Sequence, residues 1–184
     1  MLEIIVAIGV ITTGVFGMLT LLTASINGAK ELEARAMGAN LAKEGIEAVR
    51  KIRDSNWLQS KPFDAGLEGL GFDYTGIAYF NPSDNGWTVS FGANAIGDAE
   101  AEMLKTADGL MLQFPSDILP PPAEETGYRR ILTLNAICED GSTKTSGLSC
   151  ASKKIGIEAI SDTLWSVGAR EHRASFVENI YDWR

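Results

Sequence analysis

The chain begins with an apolar segment that has a single acidic residue at its head. From Ile4 to Ala24 the sequence contains no Asp, Glu, Lys or Arg, and Glu3 directly precedes this run. A helix of that length rises about 31 Å at roughly 1.5 Å per residue, which matches the bilayer's hydrocarbon thickness of about 30 Å. Because a carboxylate in hydrocarbon costs free energy, we expect an acid at this position to have a partner or a function.

The apolar run continues into an amphipathic stretch, so we predict one helix over residues 2–53. Its apolar side chains recur every three or four residues, at Ala29, Leu32, Ala36, Ala39, Ala42, Ile46, Val49 and Ile52. A signal peptide has a basic start and a shorter apolar stretch, which argues against a cleaved signal. A buried core helix is the other alternative. We assign residues 1–25 to a transmembrane segment and residues 26–184, including helix 26–53, to a globular domain.

Glycines and charged pairs give further expectations for this helix. Six glycines lie inside it, at positions 9, 14, 17, 28, 38 and 45. Each costs about 1 kcal/mol relative to alanine when exposed, so we expect them to allow close helix packing or to weaken the helix locally, most of all within residues 12–17. Glu31 with Arg35 and Glu47 with Lys51 have the i, i+4 spacing that stabilises a solvated helix face.

Four later segments alternate apolar and polar residues, as half-buried strands do. They are WTVSFG at 87–92, YRRILTLNAIC at 128–138, KKIGIEAIS at 153–161 and ASFVENIYDW at 174–183. Their short connections favour an antiparallel sheet. The predicted fold is therefore α+β, with the long N-terminal helix packed on a four-stranded antiparallel sheet. Within residues 92–127, GDAEAEMLKTA is a candidate short helix and DILPPPAE an extended, stiff segment.

Charge and cysteine content limit the possible partners. The formal net charge is −8 and the pI about 4.7, so nucleic acid is an unlikely partner because phosphate binding needs a basic surface. Cys138 and Cys150 flank a polar Gly/Ser segment. In an exported protein this even count favours a disulfide worth about 3 kcal/mol, whereas in the cytosol two free thiols are expected. Zinc is not expected, since His172 has no Cys or His at ligand spacing.

No catalytic motif occurs in the sequence, so we expect neither an enzyme nor a cofactor. GxSxG, HExxH and P-loop patterns are all missing from it. Glu139 and Asp140 could serve acid–base chemistry or hold calcium, but adjacent acids in a Gly/Ser loop are usually only solvated. The four tryptophans could form a sugar-stacking platform, but most of them fall in or beside strand patterns and are expected in the core. They are Trp57, Trp87, Trp165 and Trp183.

The head of the chain resembles the type IV pilin and type II secretion pseudopilin superfamily. The residues that carry this resemblance are LEIIVAIGVITTGVFGMLTLL, with its acid just inside the apolar segment, and the amphipathic continuation LAKEGIEAVRKIRDSNW. The alternating strands and the terminal IYDWR look most like minor pilins related to the V-type. Family members carry a basic leader ending in glycine, and their acid lies two residues further along. We therefore expect either an upstream start or an internal Met1.

The resemblance implies a structural subunit of a helical filament. It implies that Glu3 pairs with the N-terminal amine of a neighbouring subunit, and that the chain is held in membrane lipid before assembly. The implied partners are other pilin or pseudopilin subunits, the inner-membrane assembly platform and, where a leader exists, prepilin peptidase. The implied location is the cytoplasmic membrane, with the C-terminal domain outside, and then a surface pilus or pseudopilus. The alternative is a membrane-tethered adhesin or binding module that uses the helix only as an anchor.

Overall fold

The computed structural model of the chain describes residues 2–69, 75–82, 85–93, 95–145 and 149–182. The chain forms two compact units, Met1–Met37 and Gly38–Arg184. The described part of the first unit is entirely α-helical, whereas the second unit combines helix, strands and loops.

The described residues contain one long α-helix and eight strands. Helix α1 spans Leu2–Leu58. The strands are β1 (Thr75–Asn81), β2 (Gly86–Ser90), β3 (Glu102–Thr106), β4 (Met111–Leu112), β5 (Ala123–Cys138), β6 (Thr143–Lys144), β7 (Lys154–Val167) and β8 (Arg170–Tyr181). A single turn of 3₁₀ helix, Ala99–Ala101, precedes β3.

Helix α1 forms where the sequence predicts it and continues past residue 53. The extra turn contains Asn56 and Trp57, which are both buried in the second unit. Ser60 then adopts the left-handed conformation, with φ of 55°, that ends many helices. The backbone N–H of Lys61 donates to the carbonyl of Asn56 at 2.9 Å. Burial of the last turn therefore extends the helix beyond its predicted end.

The strands form one open antiparallel sheet centred on β5, and the prediction of four strands is wrong. Strand β7 pairs with β5 from Arg129 to Cys138, and β8 pairs with β7. Strands β3, β1 and β6 pair with successive parts of β5 along its other edge. Strand β2 pairs with β1, and β4 pairs with β3. The predicted α+β class, with a long N-terminal helix and an antiparallel sheet, is confirmed.

The segment GDAEAEMLKTA does not form the predicted short helix. Only Ala99–Ala101 makes a helical turn, and the next five residues form β3. Met103 on β3 is fully buried, and β3 pairs with the N-terminal part of β5. Burial of Met103 and pairing with a neighbouring strand therefore outweigh the helix propensity of this short segment.

The core of the second unit lies between the C-terminal part of α1 and one face of the sheet. Ile46, Val49 and Ile52 of the helix belong to one buried cluster with Leu134 on β5 and Ala159 on β7. The three helix residues belong to the predicted apolar stripe, so the amphipathic half of the helix buries the expected face. Each fully buried aliphatic side chain contributes about 1.5–3 kcal/mol relative to exposure.

Strand β5 is buried on both faces, although its sequence predicts burial on only one. Leu132, Leu134 and Ala136 face the helix and belong to the core cluster. Asn135 and Ile137 alternate with them, yet they are only 6% and 7% exposed. Strands pair with β5 along both of its edges, and on this second face Nδ2 of Asn135 donates to Oε2 of Glu158 on β7 at 2.9 Å.

Candidate functional site

The first unit has an exposed apolar surface on every side of its helix. Every described residue from Leu2 to Lys30 is exposed, including Phe16 at 70% and Leu21 at 74%. Residues 4–29 carry no charged side chain and rise about 39 Å. An 18-residue window of α1 has a mean hydropathy of 2.3, so this helix is long and apolar enough to cross a membrane.

The threonine hydroxyls in the apolar segment are satisfied by the helix that carries them. Thr12 donates to the carbonyl of Ile8 at 2.9 Å, and Thr13 donates to that of Gly9 at 2.9 Å. Thr20 and Thr23 make the same bond to the carbonyls four residues earlier. Because an unpaired hydroxyl is costly in an apolar medium, these internal bonds lower the cost of placing the helix in lipid or in a helix bundle.

Glu3 lies in the first turn of α1, at the end of the apolar surface. Within the described part of the chain no ion pair or hydrogen bond reaches its carboxylate. The first turn of a helix has backbone N–H groups without intrahelical partners and a partial positive charge, which favours an acid there. In water, this interaction with the helix end stabilises the charged carboxylate of Glu3. In an apolar environment the carboxylate would need a further partner from outside the described residues.

The helix glycines fall into two groups with different surroundings. A Cβ added at Gly9, Gly14 or Gly17 would meet no atom within 4 Å, and the same is true of Gly28. In the second unit, a Cβ at Gly38 would overlap the ring of Trp165. Gly38 thus allows α1 to lie close to the sheet, whereas close packing between helices stays a prediction. The predicted weak point at residues 12–17 is continuous α-helix.

A buried arginine connects three elements of the second unit. Arg130 on β5 is 1% exposed, and its Nη1 and Nη2 donate to the carbonyls of Leu41 on α1 at 3.1 Å and Ala78 on β1 at 3.2 Å. Its Nε donates to Oε1 of Gln113 at 3.0 Å. Burial lowers the pKa of Arg130, whereas the carboxylate of Glu44, 3.6 Å from Nη1, opposes that shift. This network fixes α1 against the sheet.

The two cysteines are joined in a disulfide beside the end of β5. The Cα atoms of Cys138 and Cys150 lie 5.6 Å apart, and no free cysteine is present. Within the loop, Asp140 Oδ1 accepts hydrogen bonds from the hydroxyl of Ser142 at 2.6 Å and from its backbone N–H at 2.9 Å. These two bonds hold the pKa of Asp140 below its usual range. Residues 146–148 lie outside the described part of the loop.

Charged side chains tie the helix and the following loop to the sheet. Arg50 on α1 forms an ion pair with Glu178 on β8, and hydrogen bonding to that carboxylate raises the pKa of Arg50. Arg50 also pairs with Glu47, so the predicted Glu47–Lys51 pair is replaced by this i, i+3 contact. The predicted Glu31–Arg35 pair is present at 2.6 Å.

The described residues do not bring together a metal-binding cluster of three or more acidic, His or Cys side chains. Of the four tryptophans, Trp57 and Trp165 are buried, as expected for core residues. Trp87 is half-buried and lines a groove on the surface, whereas Trp183 lies outside the described residues.

Sequence reasoning missed the Arg130 network. A signal for it was present, because Arg130 has the same parity along β5 as Leu132 and Leu134, which face the helix. A charged residue at such a position indicates a buried, hydrogen-bonded cation. Its partners Leu41, Ala78 and Gln113 are distant in sequence and carry no local signal.

No protein-family model, curated protein or solved structure matches the chain.

Proposed function

We propose that this chain is a structural subunit, of the minor type, of a type IV pilus or a related secretion pseudopilus. The observation that carries the proposal is helix α1. Glu3 lies in its first turn, residues 4–29 are uncharged and exposed on every side, and the same helix packs its C-terminal part on an antiparallel sheet. The resemblance of LEIIVAIGVITTGVFGMLTLL to the head of pilins and pseudopilins points in the same direction.

The proposed role follows from what an all-round apolar helix can do. Lipid tails are as apolar as leucine, so transfer of residues 4–29 from lipid into a bundle of identical helices gains little hydrophobic free energy. Packing and polar pairing must then direct assembly. Glu3 supplies the polar element in this account, because its carboxylate is stable in a bundle only where a cation, such as a neighbour's N-terminal amine, lies beside it. That requirement sets the stagger between subunits.

The second unit has features suited to an exported head domain. A disulfide closes residues 138–150, and bonds of this kind persist outside the cytoplasm. In our proposal the chain crosses the cytoplasmic membrane once, with residues 26–184 outside. It is stored there until an assembly platform moves it into the filament. Prepilin peptidase would act on any leader that precedes the chain in its natural form.

Permutation of the apolar segment tests this proposal. A variant in which residues 4–24 are reordered keeps length, composition and hydropathy, and Glu3 stays in place. We expect this variant to reach the membrane at the wild-type level but to be lost from filaments sheared off the cells, because bundle packing depends on where the glycines and large side chains fall. Immunoblots of membrane and sheared fractions measure both quantities.

The alternative account, a module that uses the helix only as a tether, predicts the opposite result. A tether depends on hydropathy alone, so the permuted variant would keep every activity of the chain at the cell surface. Wild-type protein that never enters the sheared fraction, under conditions in which filaments are made, would also contradict the proposed function.

A further inference from the structure

A polar groove lies between the last turns of α1 and the β1–β2 hairpin. It has a volume of about 390 Å³, within the roughly 300–1,000 Å³ of small-ligand sites. Most of the described residues that line it carry polar side chains that can donate or accept hydrogen bonds. These are Ser55, Asn56, Gln59, Lys61, Asn85 and Thr88. The groove lies entirely within the second unit and shares no residue with the apolar surface of the first.

An aromatic ring and a lysine complete the lining of this groove, and a second lysine lies beside that ring. Trp87 lines it, and Nζ of Lys51 lies 6.0 Å from the centre of the Trp87 ring. Lys61 is exposed at the rim. Within the described residues neither lysine forms an ion pair, and Glu47 pairs with Arg50 rather than with Lys51. The chain as a whole is acidic, with a net charge of −8. The described lining of this groove, by contrast, includes a lysine and no acidic residue. The neighbouring Asp84 lies outside the described residues.

The backbone at the two ends of the groove is held in an uncommon conformation. Ser60, next to Gln59 and Lys61, has φ of 55°, and Asn85 has φ of 47°. These are the only described residues other than glycine with positive φ. The left-handed conformation at Ser60 ends helix α1, and asparagine readily adopts it in tight turns such as the one at Asn85. Asn56 fixes the loop after the helix, because its Nδ2 donates to the carbonyls of Phe63 at 3.2 Å and Ala65 at 2.8 Å.

We propose that this groove binds an acidic saccharide, a sugar ring that carries a carboxylate. The apolar C–H face of a sugar ring packs on an aromatic ring such as Trp87. Its hydroxyl groups match amide side chains, because Gln59 and Asn85 can each donate and accept hydrogen bonds. Lys61 in the lining supplies the positive charge for the carboxylate, and Lys51 lies beside the Trp87 ring. A neutral sugar would have no charged group to pair with the lysine. A simple anion would have neither an apolar face for Trp87 nor hydroxyl groups for the side-chain amides.

The test is a binding titration of the full-length chain in a polyoxyethylene detergent, which has no sugar headgroup. The probes are methyl glucuronide and, as its neutral counterpart, methyl glucoside, with tryptophan fluorescence and saturation-transfer NMR as readouts. We expect saturable binding of the glucuronide and at least about tenfold weaker binding of the glucoside, because a hydrogen bond to a charged group contributes about that factor. Equal affinities for the two probes, or no saturable binding of the glucuronide, would overturn the proposal.

Two exposed residues provide variants that leave the core intact. Lys61→Glu should weaken glucuronide binding at least about tenfold, and Gln59→Ala should weaken it severalfold. Lys153→Glu makes the same charge change at another exposed lysine and should leave the affinity unchanged. Wild-type affinity in Lys61→Glu would show that the probe binds elsewhere and would overturn the assignment. Because binding is measured on the isolated chain, this result does not depend on whether the chain enters a filament.

Discussion

Gly38 of α1 lies directly against the ring of Trp165 on β7, so closely that a Cβ on the glycine would overlap three ring carbons. Gly45, two turns further along the helix, faces Ser161 and Leu132 in the same way. The absence of side chains at these two positions lets α1 approach the sheet.

Substitution of Gly38 by valine should therefore destabilise the second unit. We expect Gly38→Val to lower its free energy of unfolding by about 2 kcal/mol, because overpacking of a filled site costs roughly 1–3 kcal/mol. Denaturant titration of the detergent-solubilised chain, followed by tryptophan fluorescence, measures this loss. Gly28→Val is the matched control, since a Cβ there meets no atom within 4 Å. Equal stabilities of the two variants would contradict close packing at Gly38.

Loss of the Arg130 guanidinium should destabilise the second unit more than loss of a surface arginine. Arg130→Met removes donors from Leu41, Ala78 and Gln113 at once, and we expect a cost of about 3 kcal/mol. Arg130→Lys should recover less than half of it, because one ammonium group cannot reach three separate acceptors.

The neighbouring Arg129 provides the control for this prediction. It is partly exposed and pairs with Glu102 at 3.0 Å, so Arg129→Met should cost less than about 1 kcal/mol. The same denaturant titration compares the three variants. A cost for Arg130→Met no larger than that for Arg129→Met would show that the buried network contributes little.

Reduction of the Cys138–Cys150 disulfide should lower the stability of the second unit. The sequence separation is 12, for which the chain-entropy model gives about 3 kcal/mol. Thermal unfolding with and without a phosphine reductant measures the effect. The double variant Cys138→Ser, Cys150→Ser should unfold like the reduced protein and should not respond to reductant. An unchanged unfolding midpoint of the reduced wild type would mean that the bond does not contribute to stability.

Helix α1 could be predicted from sequence because its signal is local and repeated over many turns. The strands were harder, since their pairing depends on residues far apart in the chain. Met103 is an example: its segment has the composition of a short helix, yet burial against β5 makes it a strand. Asn135 is another, because alternation predicts exposure, whereas the structure buries this residue.

The candidate sites also differ in whether the sequence carries a local signal for them. The cysteine pair could be predicted from sequence, since an even cysteine count is visible in the sequence itself. Glu3 stays a prediction, made because an acid beside an apolar run is visible there too. The saccharide groove could not be predicted from the sequence. It joins residues 52–61 to residues 85–88, and neither stretch alone has a pattern that indicates binding. Lys51 was expected to pair with Glu47 and instead lies over Trp87, a change that only the side-chain packing determines.

Replacement of the Glu3 carboxylate tests the central claim most directly. Glu3→Gln keeps the shape of the side chain and removes its charge, and Glu33→Gln makes the same change at another exposed acid of α1. The fraction of each variant in sheared filaments is measured against its amount in the membrane. We predict normal membrane insertion for both, wild-type incorporation of Glu33→Gln, and at least about a tenfold loss for Glu3→Gln, because the substitution removes the proposed charge pair at the helix end. Equal incorporation of Glu3→Gln and wild type would contradict the account.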